Sequence, residues 1–216
     1  MAGMVLHNYF RSSTSVRVRV AFNLKGLDYV YAAHHLRRGE HRGDAYRTVN
    51  PHALVPALEL ADGTVLTQSL AIIEYLEEVF PEPPLLPADP PARARVRAIA
   101  QAIACEIHPL NNLRVLNDLR TRFGADDAAL KGWIHHWVGA TFAPLEAMLA
   151  SDGATGTFCH GDQPSMADAC VYAQVITNRR FDVDMTPYPT IGRIFAAAAR
   201  LPAFDRAAPE NQPDAE

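Results

Sequence analysis

The sequence predicts a chain of mixed class, an α/β unit followed by an all-α half, and three observations carry that prediction. From Val5 to Phe80, strand-like and helix-like segments alternate, as in an α/β unit. Pro81 to Pro91 then holds six prolines, a density that excludes a regular helix or a central strand and marks a link. Beyond it no strand pattern recurs. The expected division is 1–81 as the α/β domain, 82–91 as a proline-rich linker, and 92–216 as an all-helical domain with a flexible C-terminal tail.

Taken in order, Val5, Leu6, Tyr9 and Phe10 read as a short apolar strand, and Val16 to Lys25 has helical length and stops at Gly26. A second strand falls near Tyr29 to Leu36 and a short helix near Gly43 to Val49. The runs from Val55 to Leu60 and from Thr64 to Leu66 flank Asp62-Gly63, which reads as a hairpin. In Ser69 to Phe80 the residues Leu70, Ile72, Ile73, Leu76 and Phe80 form an apolar stripe, with Glu74, Glu77 and Glu78 expected outward. The order is βαβαββα. After the link, helices are expected over Arg93 to Phe123, Asp127 to Ala150, Ser165 to Arg180 and Thr190 to Leu201, with a last turn at Ala203 to Ala208. Ser165 and Asp168 have capping-box spacing, a structural pair.

The chain has 216 residues, 49% of them hydrophobic, enough for a real core. The tail from Ala207 to Glu216 is polar and proline-containing and is expected to be loosely held. A net charge of −4 without a long basic block argues against a nucleic-acid footprint. No signal-like leader and no run of eighteen apolar residues is present, so no membrane association and a cytoplasmic location are expected. Cys105, Cys159 and Cys170 are odd in number and lack CxxC spacing, which suits reduced, mostly buried thiols. The adjacent pairs His34-His35 and His135-His136 diverge on any regular element, so no metal is expected.

The run from Tyr9 to Arg17 carries the chemistry. Ser12, Ser13, Thr14 and Ser15 stand where a strand gives way to a helix, and unpaired N–H groups with the helix dipole favour an anion there. Ser and Thr are also ordinary capping residues, and a plain N-cap satisfies the same pattern.

With Val55-Pro56 ahead of the hairpin, the N-terminal unit resembles a thioredoxin-like fold. With the helical half, the whole resembles the cytosolic glutathione transferases. Ser12-Ser13-Thr14-Ser15-Val16-Arg17-Val18-Arg19 is similar to the SSCSxRVR turn of the zeta class. Asn50-Pro51, Gln68 to Glu78, Leu85-Leu86-Pro87, Ile107 to Leu113, Gly161-Asp162 with Met166-Ala167-Asp168, and Arg180 to Pro189 extend the likeness over nearly the whole chain. One departure is Thr14, which stands where the class usually has cysteine, so redox or covalent chemistry there is lost.

The resemblance implies glutathione as cofactor and a homodimer. It implies a cis-trans isomerase whose substrate is a small cis-ene-dione acid, maleylpyruvate or maleylacetoacetate, and a cis Val55-Pro56 bond. A free thiol has a pKa of about 8.5, so the site must favour thiolate. Ser12 is the preferred hydrogen-bond donor to the sulfur, with Thr14 its rival. The turn Ser12, Ser13, Thr14, Ser15, Val16 and Arg17, with His41, Val55, Gln68 and Ser69, is the implied glutathione-binding set, to which His108 and Asn112 are added. His41 as a solvent-facing bystander is the other reading of that residue. Arg11 and Arg180 are the expected clamps for substrate oxygens, since a guanidinium binds carboxylate bidentately and does not titrate. His108 and Asn112, four apart on an expected helix, share a face and line the substrate cleft. Arg114 joins them on the resemblance alone, and Arg179 reads as a surface ion pair. Two alternatives share the fold: a general transferase or dehalogenase acting on small electrophiles or α-halo acids, and a non-catalytic binding module.

Overall fold

The computed structural model describes residues 3–216. They form two compact units, one made of residues 3–85 and 199–216, the other of residues 86–198. The first unit contains β1 (Val5–Asn8), α1 (Ser13–Leu24), β2 (Val30–Ala33), a 3₁₀ turn (Glu40–Arg42), α2 (Asp44–Val49), β3 (Ala57–Glu59), β4 (Val65–Thr67) and α3 (Ser69–Val79). Its four-stranded sheet has the order β2-β1-β3-β4. β1 runs parallel to β2, and β3 runs antiparallel to both β1 and β4. This is the expected βαβαββα order.

Alternation puts Leu6 and Leu58 opposite each other in the sheet, both buried. α1 packs on α3, and Val18, Phe22, Ile72, Ile73 and Leu76 are fully buried with them. Glu77, expected to face outward, is instead buried and bonded to Lys25 Nζ at 2.8 Å. Lys25 also donates to the Phe80 and Pro83 carbonyls, at 2.7 and 3.0 Å, and Glu77 accepts from the Leu85 N–H at 2.8 Å. Two buried charges are tolerable because each has several partners, which ties the chain after α3 to the end of α1.

The second unit contains α4 (Pro90–Gln101), a π-helical segment (Ala102–Ile107), α5 (His108–Asn111), α6 (Leu113–Phe123), α7 (Asp127–Ser151), α8 (Met166–Arg180) and α9 (Pro189–Ala198). α8 is its centre: every residue from Met166 to Val175 is buried, and α8 packs on α4 and α9. The link is shorter than expected, because Pro90 and Pro91 belong to the first turn of α4 and Asp89 caps it through the Ala92 N–H at 3.1 Å. Proline is tolerated there because those N–H groups have no helical partner anyway. The single helix expected over Arg93 to Phe123 is interrupted by the π segment and by Asn112, whose backbone is extended at φ −77° and ψ 159°. Gly124, at φ +67°, ends α6 in the left-handed conformation that glycine adopts at no steric cost.

The chain then adds α10 (Pro202–Asp205) and a 3₁₀ turn (Pro209–Asn211), which group with the first unit; α10 packs on α1. This overturns the expectation of a loose tail belonging to the helical domain. Ala207, Ala208 and Gln212 are buried, and Gln212 Nε2 donates to the Arg206 and Ala208 carbonyls, at 2.8 Å each. Among the described residues no helix is long and apolar enough to cross a membrane. Among the described residues no disulfide joins the three cysteines; Cys159 and Cys170 are buried, whereas Cys105 is exposed.

Candidate active site

The hydroxyl turn begins α1 earlier than its apolar pattern suggests, at Ser13, with Ser12 as N-cap. Ser12 makes no side-chain capping bond, and the first turn of α1 holds no acidic residue. Its helix N-terminus therefore keeps its positive character without an internal counter-charge. Ser12 Oγ lies 2.7 Å from Thr14 Oγ1, and Thr14 Oγ1 donates to the Val55 carbonyl at 3.0 Å. A hydroxyl has one proton, and that of Thr14 is committed to a carbonyl, which can only accept. Ser12 is thus the donor to Thr14, and its proton can turn to another acceptor. Of the two hydroxyls, Ser12 is the one whose proton is not committed to a backbone carbonyl.

The rest of the turn faces inward. Ser13, Ser15, Val16 and Arg17 are buried. Ser15 Oγ accepts from the Tyr9 N–H at 3.4 Å, and Val16 is part of the core. What this run offers a ligand is therefore the two hydroxyls of Ser12 and Thr14 with the N–H groups of the first turn of α1. Arg17 is 1% exposed, and its guanidinium nitrogens make no hydrogen bond among the described residues. Arg11 lies across the faces of Phe10 and Tyr9, with Cζ 5.2 and 5.8 Å from the ring centroids. That stacking orients the guanidinium without using its N–H fork.

Val55 is positioned by the loop before it. Asn50 Nδ2 and the Tyr46 hydroxyl both donate to the Leu54 carbonyl, at 2.8 and 2.6 Å, and Asn50 Oδ1 accepts from the His52 N–H. The Val55-Pro56 bond is cis, as the resemblance implies. Glu82-Pro83 is cis as well, which nothing in the sequence signals. Gln68 precedes α3 at φ +70°, a left-handed conformation that is costly for a residue with a side chain. It makes no capping bond, the first turn of α3 holds no acid, and Ser69 is buried in that turn. α3 is thus a second open helix N-terminus. His41 is 6% exposed, and its Nδ1 has no partner. Burial, with Arg42 nearby, pushes its pKa down, so the ring is neutral at neutral pH. A buried, neutral ring nitrogen without a partner suits a peptide group of a ligand, against the bystander reading.

In the second unit, Asn112 is not one helical turn from His108 on a shared face. Its Oδ1 accepts from the Arg114 and Val115 N–H groups, at 3.1 and 3.2 Å, and its Nδ2 donates to the Pro109 carbonyl at 3.0 Å. Asparagine competes with the helical backbone in this way, which is why the helix breaks there. Arg114 is exposed on the first turn of α6, and His108 begins α5. Arg180 ends α8 exposed, over the Phe181 ring at 4.7 Å. Arg179, expected in an ion pair, lies over Phe195 at 4.2 Å.

With its open hydroxyl turn, cis-proline loop and second open helix N-terminus on a thioredoxin-like unit, the chain belongs to the zeta class of the glutathione transferase family. Residues 11–79 match the family model for the glutathione S-transferase N-terminal domain. A maleylpyruvate isomerase of a Ralstonia species is 52% identical over 211 residues, spanning 98% of this chain and 99% of that protein. A holo structure of a bacterial zeta-class maleylpyruvate isomerase superposes with a TM-score of 0.95 at 51% identity, covering 98% of this chain and 99% of the other. A maleylacetoacetate isomerase of Methylobacterium extorquens AM1, solved with malonate and glutathione bound, gives a TM-score of 0.95 at 38% identity, with the same 98% and 99% coverage.

Proposed function

We propose that this protein is a glutathione-dependent cis-trans isomerase that converts maleylpyruvate or maleylacetoacetate to the fumaryl isomer. The observation that carries the reading is the Ser12–Thr14–Val55 relay at an open helix N-terminus. It is a donor and a dipole with no internal anion to serve, in a chain whose near-full-length relatives carry those names.

The residues fit glutathione. Ser12, His41, Val55, Gln68 and Ser69 would hold it, with the thiol at α1 and the γ-glutamyl carboxylate at α3. When bound, glutathione supplies a thiolate that adds to the alkene carbon and leaves again after the bond between the former alkene carbons has rotated. Ser12 turns its proton toward the sulfur, and with the N-terminus of α1 it favours the charged form. Thr14 stays on the Val55 carbonyl, which keeps its own proton away from the sulfur and leaves that role to Ser12. Arg11 is assigned a substrate oxygen on which negative charge develops, where a fixed cation is worth most. Arg180 is assigned a substrate carboxylate, with His108 and Arg114 as further substrate contacts. Asn112 acts by shaping the α5–α6 turn. A homodimer in the cytoplasm belongs to the same proposal and rests on the resemblance.

The test mixes purified protein, glutathione and each cis acid, and follows the fumaryl product by absorbance. Conversion that requires glutathione is expected. Failure with both acids sinks the reading and leaves the transferase and binding alternatives.

A further inference from the structure

We infer that the C-terminal segment is a strap that holds the catalytic turn in register, with Asp214 as its positioning residue, acting on the isomerase site proposed above. The turn from Tyr9 to Ser12 contributes Arg11 and Ser12, and its own backbone closes it through the Ser12 N–H to the Tyr9 carbonyl at 3.1 Å. Both polar groups of Phe10, the residue between them, are tied to the tail. Its N–H donates to Asp214 Oδ2 at 3.1 Å. Its carbonyl accepts from Arg19 Nη2 at 2.6 Å, and the same guanidinium donates to the Ala207 carbonyl through Nη2 at 2.9 Å and Nε at 3.2 Å. Arg19 Nη1 adds Asn8 Oδ1 at 2.9 Å and the Tyr9 carbonyl at 3.4 Å.

The tail is itself held. The other oxygen of Asp214 accepts from the Tyr31 hydroxyl on the neighbouring strand β2. Burial, and then that bond, push the Tyr31 pKa far up, so the phenol remains a donor at any working pH. Arg19 is 0% exposed and cannot lose its proton, so the carbonyls around it are its obligatory partners. A carboxylate that accepts from a backbone N–H and a phenol at once fixes the first in relation to the second. Displacing such a turn by an ångström can cost about a hundredfold in rate with the chemistry otherwise intact. Glu216 provides an internal contrast. On the same tail, Glu216 binds His35 at 3.0 Å and Arg38 at 2.6 Å, with no hydrogen bond to a backbone group of the turn among the described residues.

The experiment compares Asp214→Ala, Asp214→Asn, Tyr31→Phe and Glu216→Gln in the full chain. It reads turnover, KM for the cis acid, the Kd of glutathione, and the pKa of its bound thiol from thiolate absorbance. Asp214→Ala is expected to lower kcat by about tenfold to a hundredfold and to raise the bound-thiol pKa, with the Kd of glutathione changed by less than about threefold. Asp214→Asn, which keeps one acceptor oxygen, and Tyr31→Phe, which removes one arm, should give smaller shifts in the same direction. Glu216→Gln should leave all four quantities at their wild-type values. Unchanged kcat and thiol pKa in Asp214→Ala, with only a lower Tm, would overturn the strap, as would a Glu216→Gln effect as large as that of Asp214→Ala. If Asp214→Ala does not fold, a wild-type thiol pKa in both milder variants overturns it too. The titration needs glutathione alone, so a wild type that isomerises neither acid refutes the proposed function while the thiol pKa still decides the strap.

Discussion

The helix starts of the two units are built from the same residue types and used in opposite ways. In the second unit the starts of α4, α6, α7, α8 and α9 are closed by side chains of the fold itself. Asp89 caps α4, Asn112 caps α6 and Asp126 caps α7, each through backbone N–H groups. Asp168 accepts from both the N–H and the hydroxyl of Ser165 at the start of α8, at 2.8 and 2.7 Å, and from the Cys159 N–H at 2.8 Å. At α9 the Glu146 carboxylate takes the Thr190 and Ile191 N–H groups, at 2.8 and 2.9 Å. In the first unit α1 and α3 have no side-chain cap and no acid in the first turn. A helix that supplies its own acceptor is finished. One that does not is incomplete until an anion arrives, and α1 and α3 lie in the residues that match the glutathione transferase domain.

The sharpest way to break the comparison is to remove one polar group at a helix start on each side. Ser12→Ala should lower kcat by about a hundredfold to a thousandfold, the usual effect of losing one donor to developing charge, and leave Tm nearly unchanged. Asp168→Ala should do the reverse, removing about 3 kcal/mol or more of stability by leaving buried donors unpaired, with the kcat of the folded fraction preserved. Urea unfolding and steady-state kinetics on the two variants decide it, and a large loss of turnover in the Asp168 variant counts against the division. Ser165→Ala should cost about 1 kcal/mol in the same unfolding assay, because the Asp168 carboxylate still holds the remaining N–H groups.

The smallest effect concerns pH. His7 Nδ1 lies 2.9 Å from His34 Nε2, and His7 Nε2 lies 3.3 Å from Glu59. Burial first, and the charge of His7 next, hold the His34 pKa below its ordinary value, with Glu40 opposing and His41 adding to the shift. A base with a depressed folded pKa takes its proton more readily in the unfolded chain. Its contribution is therefore complete above the unfolded pKa of about 6.5 and is lost as pH falls toward the folded value. Tm should fall gently between about pH 7.5 and 5.5, and His34→Gln should flatten that slope. An unchanged slope in the variant would locate the effect elsewhere.

The sequence carries the order of elements well, because periodicity and turn residues are local signals. The hairpin at Asp62-Gly63 and the Ser165 capping box form as read. Its errors share one cause, partners far away along the chain. Glu77 points inward because Lys25 is there to meet it, and the polar tail is held because Phe10, Tyr31 and His35 provide its partners. Pro90 and Pro91 look like linker until Asp89 turns out to cap a helix they can start. At the site, Ser12, Thr14 and Val55 were legible as a set, but which hydroxyl is able to donate depended on a bond between Thr14 and a residue 41 positions on. Arg19 was visible only as part of a motif, with no hint that it grips the turn.

The central claim is that the open start of α1 favours a glutathione thiolate through Ser12. Titrating the thiolate absorbance of bound glutathione in the wild type, Ser12→Ala and Thr14→Val tests it most directly. The wild type should show a thiol pKa well below the free value of about 8.5, Ser12→Ala should return it most of the way, and Thr14→Val should move it less. A pKa unchanged by Ser12→Ala, or abolished only by Thr14→Val, would contradict the claim.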